Sequence, residues 1–299
     1  MDNLLFGDNQ FFGVNHMSEE KARAQSIRFQ NIESVYEVLD SAYDEGIRTF
    51  MCTTHDRVEE ICNHTRANRD RYRDFLFYPC MPYAHKYANA ATEDGILSAI
   101  TRFMPGGIIN AAIRGGTSLA TKDIDGIVTL LIDSEMKMFH GLKTPVIFLQ
   151  NVVTDLLLGL GMKKAFRIFA DHIRTRYGAE PGFITMNMPM LLDVLEDVGV
   201  ENPIVCANIN KIGFRMCGGI DAYEQALRDR KFRAIAMSVF ASGAIPPKEA
   251  ISWVCSQPNI HSIVFGASSR SNIHSTKQIV DSLWSQRQVQ PASHNAGAV

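Results

Sequence analysis

The chain has 299 residues, 46% of them hydrophobic and 21% charged, with a formal net charge of −2 at pH 7. That balance describes a globular chain able to bury a large core, and it excludes the basic surface of a nucleic-acid binder. The densest basic stretch, residues 66–73, alternates with acids and reads as a solvated helix face.

In chain order, short apolar runs alternate with helical patterns. Residues 4–13, LLFGDNQFFG, read as a first strand running into a glycine-containing loop. In the stretch that follows, Ile32, Val35, Val38, Leu39 and Ala42 keep helical spacing, and Gly46 stands where a helix stops. RTFMCTTH is a second strand, residues 58–74 a helix, and FLFYPCMPY a third strand that its prolines should end, since proline gives no ladder donor. Residues 84–122 break the rhythm with Pro105-Gly106-Gly107 and Gly115-Gly116, and read as an insertion or lid over one end of the fold. The alternation then resumes. PVIFLQN, GFITMN, PIVCANIN, AIAMSVFASG and HSIVFGASS are strands four to eight. Helices lie between them, and a last one lies near residues 272–287. Residues 290–299 are small and polar and are expected to be a flexible tail. Eight strand–helix units predict a single α/β domain over residues 1–299, a (β/α)8 TIM barrel. An open doubly wound sheet would carry G-x-G-x-x-G after the first strand, and none is present.

The opening MDNLLFGDNQFFG has an acid at position 2 and no basic run, so no secretory signal is expected. The longest apolar stretch, residues 152–162, is shorter than the roughly 18 residues of a membrane span and contains Asp155. Cys52, Cys62, Cys80, Cys206, Cys217 and Cys255 are scattered, with no C-x-x-C pair. Free thiols in a reducing cytoplasm are expected.

The last third carries a recognisable pattern: Ser238 to Gly243 in a small loop after strand seven, then P-x-E-A-x-x-W at Pro247 to Trp253, then Gly266-Ala267-Ser268-Ser269 after strand eight. In this pattern the chain resembles the aldo-keto reductases, and GIRTFMCTTHDRVEEI and residues 182–210 resemble that family's strands two, five and six. The resemblance implies the barrel and a nicotinamide cofactor, NADP, whose phosphate would sit at Gly266, Ala267, Ser268, Ser269 and Arg270. The chemistry is sound, because free amides at a helix start favour anions and Arg270 offers a fork for a 2′-phosphate. A plain capped turn with a solvated Arg270 is the other reading of the same residues. The family's catalytic Asp, Tyr, Lys and His positions fall on Met51, on His55 or Asp56, on Cys80 or Met81, and on Gln150. The resemblance therefore implies a divergent site, with Tyr83 and Lys86 as displaced substitutes.

Barrel chemistry sits at the C-terminal strand ends. Those ends present Asp8, Asn9 and Gln10, then Gln150, Asn187 and Asn208, mostly amides, suited to a small polar, sugar-like or amide-bearing substrate. His55 with Asp56 is the first acid–base candidate, and Tyr83 a second. Lys211 would form a Schiff base if its pocket were dry. His16, His55, His85, Cys52, Cys80 and Asp8 lie toward one mouth. With no compact ligand motif such as H-E-x-x-H, no metal is assigned. The leading expectation is an NADP-linked oxidoreductase with atypical catalytic residues. Two alternatives stay open: a non-redox lyase, isomerase or hydrolase using His55, Asp56, a metal or Lys211, and a catalytically inert ligand-binding or regulatory homologue. A small-molecule substrate is the partner implied, with neither nucleic acid nor membrane.

Overall fold

Eight parallel strands close on themselves in chain order. They are β1 (Leu4–Gly7), β2 (Thr49–Thr53), β3 (Leu76–Met81), β4 (Val146–Leu149), β5 (Glu180–Thr185), β6 (Ile204–Asn208), β7 (Arg233–Met237) and β8 (Ile260–Phe265). The circle is sealed by β8 pairing with β1, with Phe6 opposite Phe265. A computed structural model describes residues 1–13, 18–83 and 124–289. The expected insertion at 84–122, the expected tail at 290–299, and His16, His85 and Lys86 lie outside them.

Helices surround the strands: α1 (Glu19–Arg28), α2 (Ile32–Asp44), α3 (Asp56–Ala67), α4 (Ile124–Glu135), α5 (Asn151–Gly159), α6 (Lys163–His172), α7 (Met188–Asp197), α8 (Gly219–Asp229), α9 (Pro247–Ser256) and α10 (Arg270–Val289). The α2 pattern is realised as expected. Val35, Val38, Leu39 and Ala42 are buried, Asn31 Oδ1 accepts from Glu33 N, and Gly46 takes the left-handed conformation (φ +86°) that ends the element. No part of the described chain is a helix long and apolar enough to cross a membrane.

Alternation along the strands divides the core in two. Inward residues such as Leu5, Met51, Tyr78, Phe148, Ile204 and Ile235 fill the barrel. Outward residues such as Phe6, Phe50, Phe77 and Phe183 pack beneath the helices with Leu39, Ile61 and Phe166. Phe148 crosses the barrel so closely that a Cβ on Gly182 of β5 would lie 2.3–2.8 Å from three atoms of its ring. The missing side chain at 182 is the space the ring occupies.

Several boundaries differ from the sequence expectation, each for a local reason. The first strand stops at Gly7, and a 3-10 turn (Asn9–Phe12) buries Gln10 and Phe11. Pro79 does not end β3 but lies within it, opposite Cys52. On the other edge, β3 meets β4 at the Leu76–Lys143 bridge and again from Cys80–Phe148, so the missing donor falls in the gap between them. The helix expected to reach residue 74 stops at Ala67, where Asn68 Nδ2 donates to the His64 carbonyl. Helix α6 gives way after His172 to a wide turn (Ile173–Tyr177) that Gly178 ends at φ +62°. Strand seven stops at Met237, because Ser238, Ala241 and Ser242 are left-handed. Two helices were not expected. The first, α1, is too polar to show an apolar stripe, and α5 hides inside the run read only for membrane length.

Candidate functional site

Three carboxyl groups, each gripping a threonine at a strand end, organise the C-terminal rim of the barrel. Asp8, just past β1, is 5% exposed, and its Oδ2 accepts from Thr53 N and Thr53 Oγ1, both at 2.7 Å. Glu135, at the end of α4 and 4% exposed, accepts from Thr54 Oγ1 at 2.5 Å and from Tyr83 N at 3.1 Å. Asp155 on α5 accepts from Thr185 Oγ1 at 2.5 Å and from Met186 N at 3.1 Å. A carboxyl among apolar helices and strands is held by donors because burial without them is costly. Sequence reasoning placed Asp8 and Thr53 at the rim but missed Glu135, the role of Asp155, Thr54 and Thr185. The available signal was an acid inside an apolar stretch, as in LLIDSEM and NVVTDLLLG.

Burial pushes the Asp8 carboxyl up to about 6, against the lowering effect of its Thr53 bonds. Asp155 is raised in the same sense by burial, opposed by Thr185 and Met186. The Cys52 and Cys80 thiols are pushed far above the ordinary range by burial, with the charge of Asp8 adding to it. These cysteines are packing residues and not nucleophiles. Burial also raises the Tyr83 phenol, and Asp8 and Asp56 add to the shift. A tyrosine with negative neighbours holds its proton more tightly than usual.

His55 caps α3. Its Nδ1 accepts from Arg57 N at 3.1 Å, so the neutral ring carries its proton on Nε2. The ring stacks on Phe12 with centroids 4.3 Å apart and meets Tyr83 edge-on at 5.9 Å. Asp56 begins α3 and is exposed, so the two neighbours serve different surroundings. Phe12, His55 and Tyr83 thus form an aromatic wall beside the Asp8–Thr53 pair.

The amides predicted to face a ligand are largely engaged by their own loops. Asn208 Nδ2 donates to the Arg215 carbonyl at 3.0 Å, and Asn187 caps α7 by accepting from Met190 N at 3.4 Å. Asn210 donates to the Phe214 carbonyl and accepts from its amide. Gln150 is buried just before α5, and Asn9 is exposed. Lys211 is not in a dry pocket. Its side chain is 46% exposed, and Nζ donates to Glu249 Oε1 at 2.7 Å. An exposed, ion-paired ammonium is not the desolvated amine that Schiff-base chemistry requires.

Next to β1 on the rim, β8 delivers Gly266 to the surface. A Cβ there would come within 2.0 Å of Gln10 Oε1, whose amide is fixed by Nε2 donating to the Gly7 carbonyl at 2.8 Å. Gln10 Oε1 is buried and accepts no bond. Ser269 Oγ accepts from Asn272 N at 3.3 Å, and Arg270 opens the 20-residue helix α10. The first amides of a helix have no intrahelical partner; here Ser269 Oγ takes Asn272 N, and Gly266 beside them is exposed. The three left-handed residues Ser238, Ala241 and Ser242 bend the neighbouring loop, a backbone cost of a kind that collects at ligand sites. These residues fit a phosphate-bearing cofactor. Arg270 is 65% exposed, with Nε 3.4 Å from Glu45 Oε1. The other Glu45 oxygen lies 2.7 Å from His274 Nδ1. Among the described residues, no three His, Cys, Asp or Glu side chains gather as metal ligands.

No family model matches the sequence, and no curated protein matches it. Solved structures do match. A thermostable aldo-keto reductase in complex with the inhibitor epalrestat superposes with a TM-score of 0.57 at 10% identity, over 97% of this chain and 95% of that one. A Pseudomonas aeruginosa protein assigned as an aldo-keto reductase gives 0.55 at 12% identity, over 94% and 90%. The holo form of an aldo-keto reductase from Bacillus halodurans gives 0.53 at 10%, over 98% and 94%. The chain has the aldo-keto-reductase fold, a closed (β/α)8 barrel.

Proposed function

We propose that this protein is a nicotinamide-dependent oxidoreductase, with NADP as its cofactor and a small polar carbonyl compound as its substrate. The observation that carries the reading is the adjacency, on one rim, of the β8 phosphate cradle and the β1–β3 acid cluster, through contact of Gln10 with Gly266. Gly266, Ala267, Ser268 and Ser269 would hold the phosphates and Arg270 the 2′-phosphate. A bound reduced nicotinamide supplies a hydride to the substrate's carbonyl carbon. The chain's own residues bind, orient and protonate. His55 carries its proton on Nε2, because Nδ1 accepts from Arg57 N. Phe12 stacks on that ring and Tyr83 meets it edge-on. Tyr83 serves as a hydrogen-bond donor, since its raised phenol keeps its proton at neutral pH.

The test is consumption of NADPH by the purified full chain against a panel of polar aldehydes, ketones and open-chain sugars. Turnover with some panel members and none with apolar ketones is expected. Saturable cofactor binding without turnover on any carbonyl would retire the oxidoreductase reading in favour of a ligand-binding protein.

A further inference from the structure

We infer that Asp8 is the group that delivers a proton to the substrate's carbonyl oxygen, an assignment that rests on the oxidoreductase reading above. The three rim carboxyls look alike but are not used alike. Glu135 takes the amide of Tyr83 on both oxygens and the Thr54 hydroxyl on Oε2. Asp155 takes Thr185 on Oδ1 and Met186 N on both oxygens. Both bonds that another described residue gives Asp8 fall on Oδ2, and the carboxyl also takes Asp8's own amide. Asp8 precedes the 3-10 turn Asn9–Phe12 but does not cap it with its side chain, and among the described residues it has no ion pair. Oδ1, which no other described residue engages, is the oxygen that carries the proton.

Its direction is set by Thr53. Met51 and Thr53 share the inward face of β2, and Thr53 lies level with Cys80, whose thiol is inside the barrel. A carboxyl bonded to the Thr53 hydroxyl therefore lies over the open end of the barrel, where barrel enzymes do their chemistry. The titratable groups described around it are Cys52 from β2, Cys80 from β3, Tyr83 beyond β3 and His55 at the start of α3. The two thiols and the phenol are all raised and hold their protons. Asp56 lies further out on α3 and acts on Tyr83. Burial in this company keeps Asp8 protonated to about pH 6, close to the working range of a general acid, whereas Tyr83 is shifted away from it.

The step balances without further reagents. As hydride from the reduced cofactor forms the new C–H bond, the C=O π pair moves onto oxygen. That oxygen takes the proton from Asp8 Oδ1, leaving an alcohol, oxidised cofactor and an Asp8 carboxylate. Oδ2 of that carboxylate keeps its two Thr53 donors, and solvent at the mouth returns the proton.

The experiment uses the full chain, wild type against Asp8→Asn and Thr53→Val, with three readouts. These are NADPH affinity by cofactor fluorescence, the pH profile of turnover, and the protonated-carboxyl stretch of Asp8 in difference infrared spectra of the cofactor-free protein. The expected result for Asp8→Asn is NADPH affinity within about twofold of wild type and turnover lower by about 100-fold or more, the usual size for loss of a general acid. In wild type the carboxyl band should fade as pH rises through about 6, and Asp8→Asn should lack it. Thr53→Val removes a bond that lowers the Asp8 value, so its alkaline limb should move to higher pH. Cofactor binding with an Asp8 that ionises in the ordinary aspartate range overturns the assignment alone, as does Asp8→Asn with turnover intact. Absence of NADPH binding overturns the oxidoreductase reading and the assignment with it.

Discussion

Asp8 and Asp155 perform the same local act on two arcs of one rim, and the difference between them separates scaffold from chemistry. Each accepts the hydroxyl of a strand-end threonine, Thr53 or Thr185. Asp155 spreads its donors over both oxygens and ties α5 to the end of β5. Asp8 receives both on one oxygen and lies deeper. A carboxylate with both oxygens bonded is a clamp, whereas one with an oxygen to spare and a burial-raised proton affinity is a reagent. The neighbouring arcs follow the same division. At β6, Asn208 and Asn210 are engaged by the 211–215 loop, while at β8 an exposed glycine leads into the start of α10.

The largest expected effect lies inside the barrel. Gly182→Ala forces a methyl into the Phe148 ring, and should lower stability by about 3 kcal/mol in denaturant melts. Asp155→Ala leaves Thr185 Oγ1 and Met186 N without their acceptor, and should cost about 2 kcal/mol in the same melts. NADPH affinity should be unchanged in Asp155→Ala, and a variant that folds normally but no longer binds NADPH would erase the division between clamp and reagent. Asp8 should reverse the sign. Its folded value of about 6 lies above the ordinary 3.8, so its stabilising contribution is complete below about pH 4 and is lost as pH rises through 6. Wild type should therefore lose stability relative to Asp8→Asn between pH 4 and 7, and a pH-independent difference would contradict the burial of that carboxyl. The smallest effect belongs to Arg270→Ala. The guanidinium is 65% exposed, so NADPH should weaken only a few-fold, and more than NADH. Equal weakening would sink the 2′-phosphate role of Arg270.

Much of this was legible in the chain. Alternation of apolar runs gave eight strands, because in a barrel both strand faces are buried and the segments stand out. The α2 stripe and its glycine stop were read residue by residue, and Asp8, His55 and Gly266 were placed at the rim. What escaped depends on partners distant in sequence. The bond from Thr54 to Glu135 joins residues 81 apart, and no local pattern announces it. The amides at 187 and 208 were read as facing a ligand, yet each is held by a segment within seven residues. Side-chain bonding to nearby backbone is the commoner fate of asparagine beyond a strand. Pro79 misled for a similar reason, since its effect depends on which neighbour lacks a partner at that level.

The central claim is that the rim beside β8 holds a nicotinamide cofactor, and the most direct measurement is a fluorescence titration of the full chain with NADPH. Saturable binding in the micromolar range that is lost in Gly266→Val, where the new side chain must displace Gln10, is the predicted result. A signal that never saturates in wild type, or saturable binding unaffected by Gly266→Val, would contradict it.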